Sequence, residues 1–229
     1  LTVSNKNPYV GEQVTFTVQL KRWNPATNSY VGLPYKWVTV WYQVSGVWKT
    51  AVAKTSAYGT ITWSQSWAAS GSTTFVAAFA GDGTYAKSQS AAVTISAQKI
   101  PTKLTLDPIY GIWGNLYRQG YVSGKLTDQN GNAINKKVTI VITSQKQYMS
   151  PSNPGIWIEL GTVTLGTVQT DSSGSFKDFY VQIRAHEMSD NPLIENEVNW
   201  YNFQAHFAGD SQSYPSDSNI VNPNPSDWW

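Results

Sequence analysis

One phrase of this chain is written twice, and that duplication limits the folds open to it more than any other feature. FVAAFAGDGTYAKSQSAAV at 75–93 returns as FQAHFAGDSQSYPSDSNIV at 203–221, placing Phe75, Phe79, Gly81 and Asp82 opposite Phe203, Phe207, Gly209 and Asp210. KWVTV at 36–40 returns as KKVTI at 136–140, and Thr55, Gly59 and Ile61 correspond to Thr170, Gly174 and Phe176. The order is the same in both halves, so a duplicated domain is expected rather than one large barrel. The boundary is expected near Ile100-Pro101, giving domains 1–99 and 100–229, a usual size for two sandwich domains.

Period two dominates within each half. Val14, Phe16, Val18 and Leu20 alternate with Thr and Gln, and Val38, Val40 and Tyr42 do the same, as do Phe75, Ala77 and Phe79, then Val93 and Ile95. Side chains of a strand point alternately to its two faces, so such runs predict half-buried strands. Gly, Asn, Asp and Pro clusters punctuate them. The Asn130-Gly131 pair predicts a two-residue hairpin turn, since both residues tolerate positive φ. No segment has a helical period, so the predicted fold class is all-β, two tandem β-sandwiches.

On these residues both halves resemble the immunoglobulin-like (Big-type) repeats of bacterial and archaeal cell-surface proteins. The matching elements are SGKLTDQNGNAINKKVTI at 123–140, the block Thr170 to Phe176 with its D-x-x-G-x-F run, and the F-x-A-x-F-x-G-D block at 203–210 followed by Tyr and Ser. The resemblance covers nearly the whole chain and implies immunoglobulin-like sandwiches. Repeats of this kind serve as spacers, adhesin stalks, surface-layer modules, filament subunits and enzyme appendages, so the implied setting is extracellular or at the cell surface. The first half departs from the pattern at WNPATNSYVGL, and the second has long insertions around QKQYMSPSNPGIWIEL and HEMSDNPLIENEVN.

Composition removes several classes of function. The chain has no cysteine, which excludes disulfides and thiolate metal sites and leaves each core to hold its own domain. No apolar run approaches the length of a transmembrane helix. A net charge of +2 over 229 residues does not suit nucleic acid. Residues 1–98 carry seven Lys and Arg against two acids, and residues 99–229 carry nine against twelve, an asymmetry that would steer copies head to tail.

Catalysis is not expected. The acids of residues 1–98 are Glu12 and Asp82, without His or Cys, and the chain has no HExxH, phosphate-binding glycine loop or GxSxG elbow. Among weak metal candidates, Asp82 and Asp210 are expected to close strand ends by accepting backbone N–H bonds, with calcium as the alternative. His186 and Glu187 lie in an acidic loop with Asp190, Glu195 and Glu197; a solvated loop is the plain expectation and a metal or carboxylate site the other. His206 is expected on an outer sheet face, opposite Phe203, Ala205 and Phe207. No cofactor is expected.

Tryptophan is in excess, with 11 residues. If Val38, Val40 and Tyr42 point inward, Trp37 and Trp41 share the outer face. They then form a sugar-stacking platform, a patch for another subunit, or a surface under a neighbouring strand or loop. Trp48, Trp63 and Trp67 extend that patch or complete the core. The C-terminal NPNPSDWW has prolines that cannot donate to a ladder, so Trp228 and Trp229 tip a tail that folds back or engages the next copy. The reading is a structural module of a surface assembly, partnered by itself, by other surface proteins or by polysaccharide. A carbohydrate-binding or adhesive module acting through Trp37 and Trp41 is the second reading, and accessory domains of a secreted enzyme the third.

Overall fold

The computed structural model describes residues 1–44, 46–113, 117–148, 157–159, 162–184 and 200–221. The chain divides into two compact units, Leu1–Lys99 and Ile100–Trp229. All regular structure in the described residues of both is β.

The first unit contains β1 (Thr2–Val3), β2 (Val14–Gln19), β3 (Lys21–Asn24), β4 (Ser29–Gly32), β5 (Trp37–Val44), β6 (Val47–Lys54), β7 (Thr60–Gln65), β8 (Gly71–Phe79), β9 (Ser88–Gln89) and β10 (Val93–Ala97). One sheet runs β1-β2-β7 and the other β10-β8-β5-β6, with β9 beside β8; β3 and β4 pair as a separate hairpin. The second unit contains β11 (Thr102–Leu106), β12 (Tyr110–Trp113), β13 (Tyr117–Asp128), β14 (Lys137–Tyr148), β15 (Trp157–Glu159), β16 (Val163–Gln169), β17 (Ser175–Arg184), β18 (Trp200–Phe207) and β19 (Ser216–Asp217). There β13 carries β11, β12 and β17, while β14 carries β15, β16 and β18, with β19 on β18. β2 pairs with β7 and β13 with β17, and the strands between them belong to the opposite sheet, the β3–β4 hairpin apart. All the pairings between these strands are antiparallel, so the units are immunoglobulin-like sandwiches.

The alternation of β2 explains the first core. Val14, Phe16 and Val18 are buried while Thr15 and Gln19 are exposed. Phe16 stacks on Trp63 with ring centroids 4.7 Å apart and packs against Phe75 at 4.6 Å. Trp67 joins the same cluster and satisfies its indole N–H by donating to Thr73 Oγ1 at 3.1 Å. The second core gathers Val122, Leu126, Val138, Ile140, Phe203 and Ala205, all fully buried.

The duplication extends to individual hydrogen bonds. Thr55 Oγ1 accepts from the N–H of Lys36 and donates to the Leu33 carbonyl; Thr170 Oγ1 accepts from the N–H of Lys136 and donates to the Ile134 carbonyl. Ser90 and Ser218 each accept from a strand N–H, of Ala77 and Ala205. Gly59 and Gly174 sit at φ of 75° and 77° in turns closed by Ser56 in one unit and Asp171 in the other. At each glycine a Cβ would stand about 2.5 Å or less from backbone atoms, so glycine is required twice over.

The turn at Asn130-Gly131 differs from the expectation. Gly131 alone of the two has positive φ, its N–H donates to the Asp128 carbonyl, and the Asp128 N–H donates to the Asn132 carbonyl. This is a three-residue connection with a glycine bulge, anchored by Asp128 Oδ1 accepting from the N–H groups of Asn130 and Asn132. Pairing across the turn is short, the antiparallel Thr127–Ala133 bridge and the Ile134 N–H bond to the Leu126 carbonyl, and beyond it β13 and β14 belong to opposite sheets. WNPATNSYVGL forms most of the β3–β4 hairpin, on which Trp23 and Tyr30 meet edge to face at 5.2 Å.

Candidate contact face

Register places the exposed aromatics. On β5 the buried Val38 and Val40 fix Trp37, Thr39, Trp41 and Gln43 to the opposite, outer face. Cross-strand partners share a face, so β6 adds Lys54, Val52, Thr50 and Trp48. From β8 come Ala78, Val76 and Thr74, and beyond them Gln89 and Thr94.

Trp37 is 63 % exposed, Trp41 44 % and Trp48 49 %, and Val52 is also open to solvent. A cleft of about 420 Å³ lies between Trp41, Trp48, Val76 and Gln89. Among these described positions only Lys54 is charged, and its ammonium stands 5.9 Å from the ring centroids of both Trp37 and Tyr35. That distance suits a cation–π contact. Tyr35 is exposed and holds φ of 56°, an uncommon conformation for a bulky side chain.

The second unit shows that the fold does not require these aromatics. The repeat sets Lys137 in the place of Trp37, Val141 in that of Trp41 and Asn135 in that of Tyr35. Thr139 of that strand faces His206 and Thr167, so its outer surface is polar. Asn135 is not among the residues with positive φ.

The other tryptophans divide by sheet. Trp63, on β7 in the opposite sheet, and Trp67 pack into the first core. Trp48 instead joins the outer face. Sequence reasoning missed Tyr35, Val52 and Lys54 as members of it; the signal for the last two was the β5–β6 pairing, which follows once Gly46 is taken as a turn residue.

Asp82 and Asp210 are built alike. Asp82 Oδ1 accepts from the N–H groups of Thr84 and Tyr85, each at 2.8 Å, and Oδ2 accepts from Lys36 Nζ at 2.6 Å. Asp210 Oδ1 accepts from Gln212 and Ser213, and Oδ2 pairs with Lys136 Nζ at 2.6 Å. The Lys36 hydrogen bond, helped by the two N–H groups, outweighs residual burial and lowers the Asp82 pKa to about 2. Burial pushes Asp210 up, but the bonds from Lys136, Gln212 and Ser213 more than offset it and hold the carboxyl below its usual range. A lysine ammonium therefore stands on the outer carboxylate oxygen in both loops. No group of three or more metal-ligating side chains gathers among the described residues.

His206 is exposed, with Nδ1 2.5 Å from Asp217 Oδ1 across the β18–β19 pair. His186, Glu187, Asp190, Glu195 and Glu197, and the tail residues Trp228 and Trp229, lie outside the described residues. No helix among the described residues is long and apolar enough to cross a membrane.

No family model matches the sequence, and no curated protein does. Among solved structures the chain is similar to a tetra-tandem repeat in the extending region of a large adhesion protein, at 14 % identity and a TM-score of 0.41, covering 97 % of this chain and 48 % of that one. It is also similar to E. coli alpha-2-macroglobulin in its native conformation, at 13 % identity and a TM-score of 0.31, covering 98 % of this chain and 14 % of that one. The chain thus spans about half the length of the first and a seventh of the second. At these values the fold assignment rests on the strand order itself: the chain is all-β, two tandem immunoglobulin-like β-sandwiches.

Proposed function

We propose that this chain is a non-enzymatic module of an extracellular or cell-surface assembly, whose first sandwich domain presents an aromatic contact face. The observation that carries the reading is the outer β5–β6 face. Trp37, Trp41 and Trp48 expose large apolar area there, while the same fold, built a second time, has Lys137 and Val141 at two of these places. Exposed aromatics that the fold does not need cost solubility, and their usual role is contact. The scaffold suits a structural part: locked turns recur in both units, and antiparallel ladders run the length of the long strands.

The test compares the intact chain with the Trp37→Ala/Trp41→Ala variant, by sedimentation velocity over a hundredfold concentration range and by co-sedimentation with particulate cell-wall material. A contact made by the wild type and lost by the variant, with the fold intact, is the expected result. Identical behaviour of the two chains in both assays would sink the reading. No turnover of ester, glycoside or peptide substrates is expected from either.

A further inference from the structure

The nature of the partner follows from the chemistry of that face, and the argument rests on its being a contact surface. Trp37 and Trp41 stand four residues apart on one strand, roughly 13 Å at the usual rise, with Tyr35 before them and Trp48 on the neighbouring strand. This is a row of rings, suited to an extended ligand more than to a compact one. Between the rings lie Thr39, Gln43, Thr50 and Gln89, all neutral hydrogen-bonding side chains, and the one cation of the face, Lys54, is already set against two of the rings.

Such a face has little to offer a polyanion, whose recognition needs arrayed cations. A strand-adding peptide needs a sheet edge rather than a sheet face. Two copies meeting through this face would bring together two net-positive first domains, at an electrostatic cost. A neutral sugar chain fits: the C–H faces of its rings stack on indole and phenol rings, while its hydroxyls meet amide and hydroxyl groups. The cleft of about 420 Å³ between Trp41 and Trp48 falls within the range of small-ligand sites.

Tyr35 supplies an independent observation. A tyrosine held at φ of 56° is strained, and strain of this kind clusters at ligand-contacting positions. The repeat equivalent, Asn135, belongs to a type that tolerates the conformation yet is not in it. The strain is therefore particular to the domain that carries the ring row.

We propose that Tyr35, Trp37, Trp41 and Trp48 form a binding track for a neutral, extended polysaccharide, with one sugar unit seated between Trp41 and Trp48 over Gln89. The test is affinity electrophoresis of the intact chain in native gels containing α- and β-linked glucans, xylan or mannan, with polygalacturonate as the anionic comparison. Retardation by at least one neutral polysaccharide is expected, weakened at least tenfold in Trp41→Ala and Trp48→Ala, weakened in Tyr35→Gly, which also relieves the strain, and unchanged in Lys137→Ala.

Retardation that survives in Trp37→Ala/Trp41→Ala, or that only polygalacturonate produces, would overturn the proposal. So would the absence of retardation. In that last case light scattering separates the two readings: self-association lost in the double variant overturns the sugar and leaves the contact face standing, whereas a chain that neither binds sugar nor associates leaves neither.

Discussion

Thr55 and Thr170 are each almost fully buried, and each hydroxyl accepts from one backbone N–H and donates to the backbone, Thr55 to the Leu33 carbonyl and Thr170 to the carbonyls of Ile134 and Lys136. Replacing either with valine keeps the shape and strands backbone groups away from water. Each substitution is expected to cost about 1–3 kcal/mol, read as a lower denaturant midpoint, with Thr→Ser sparing much of the loss. The lysine–aspartate pairs act through charge. Because the folded Asp82 pKa is lowered to about 2, its contribution is fully present above the ordinary carboxylate value near 3.9 and is lost as pH falls toward 2. Asp210 is shifted in the same direction. Thermal melts between pH 4 and pH 2 should therefore fall more steeply for the wild type than for Asp82→Asn/Asp210→Asn; parallel curves would count against the paired arrangement.

At the scale of elements, the two copies solve one packing problem differently. In the second domain Phe179 lies over Gly166, where a Cβ would meet the ring at 2.8 Å, and Phe176 lies over Gly124 in the same way. In the first domain the corresponding strands β6 and β7 leave a cleft of about 390 Å³, lined by Val40, Tyr42, Ala51, Ala53, Ile61, Trp63 and Phe75 among others. Register sets Ala53 in the place of Val168, so Ala53→Val should add roughly 0.5–1 kcal/mol by filling apolar space, measured as a raised unfolding midpoint. Gly174→Ala should do the reverse, losing on the order of 1–3 kcal/mol from a left-handed φ and a backbone clash. Alternation made the core-facing residues of β2, β5 and β8 legible from sequence, because a buried sheet face writes itself in period two. The turn at Asp128 was not legible in detail, since its geometry depends on a carboxylate that reaches across the loop rather than on the Asn-Gly pair alone.

At the scale of the molecule, the duplication was visible because turn chemistry is unforgiving: Gly59 and Gly174, Thr55 and Thr170, and the two Gly-Asp corners admit few substitutes. Pairing with Lys36 and Lys136 was beyond reach, as it joins residues distant in sequence. The outer aromatic face was half legible. Strand parity exposed Trp37 and Trp41, but assigning Trp48 outward and Trp63 inward needed the knowledge of which strand pairs with which. The same contrast sets an energetic expectation. Trp63→Ala should cost about 3–5 kcal/mol, as large core truncations do, and Trp37→Ala much less, because most of its surface is already in water.

Residue-resolved oxidation of tryptophan by N-bromosuccinimide, mapped by mass spectrometry on the free chain and on the chain engaged with its partner, addresses the contact face most directly. Trp37, Trp41 and Trp48 are expected to react early in the free chain, well before Trp63 and Trp67, and to be protected on engagement. Rates for the three as slow as that of Trp63 in the free chain, or unchanged on engagement, would contradict this expectation.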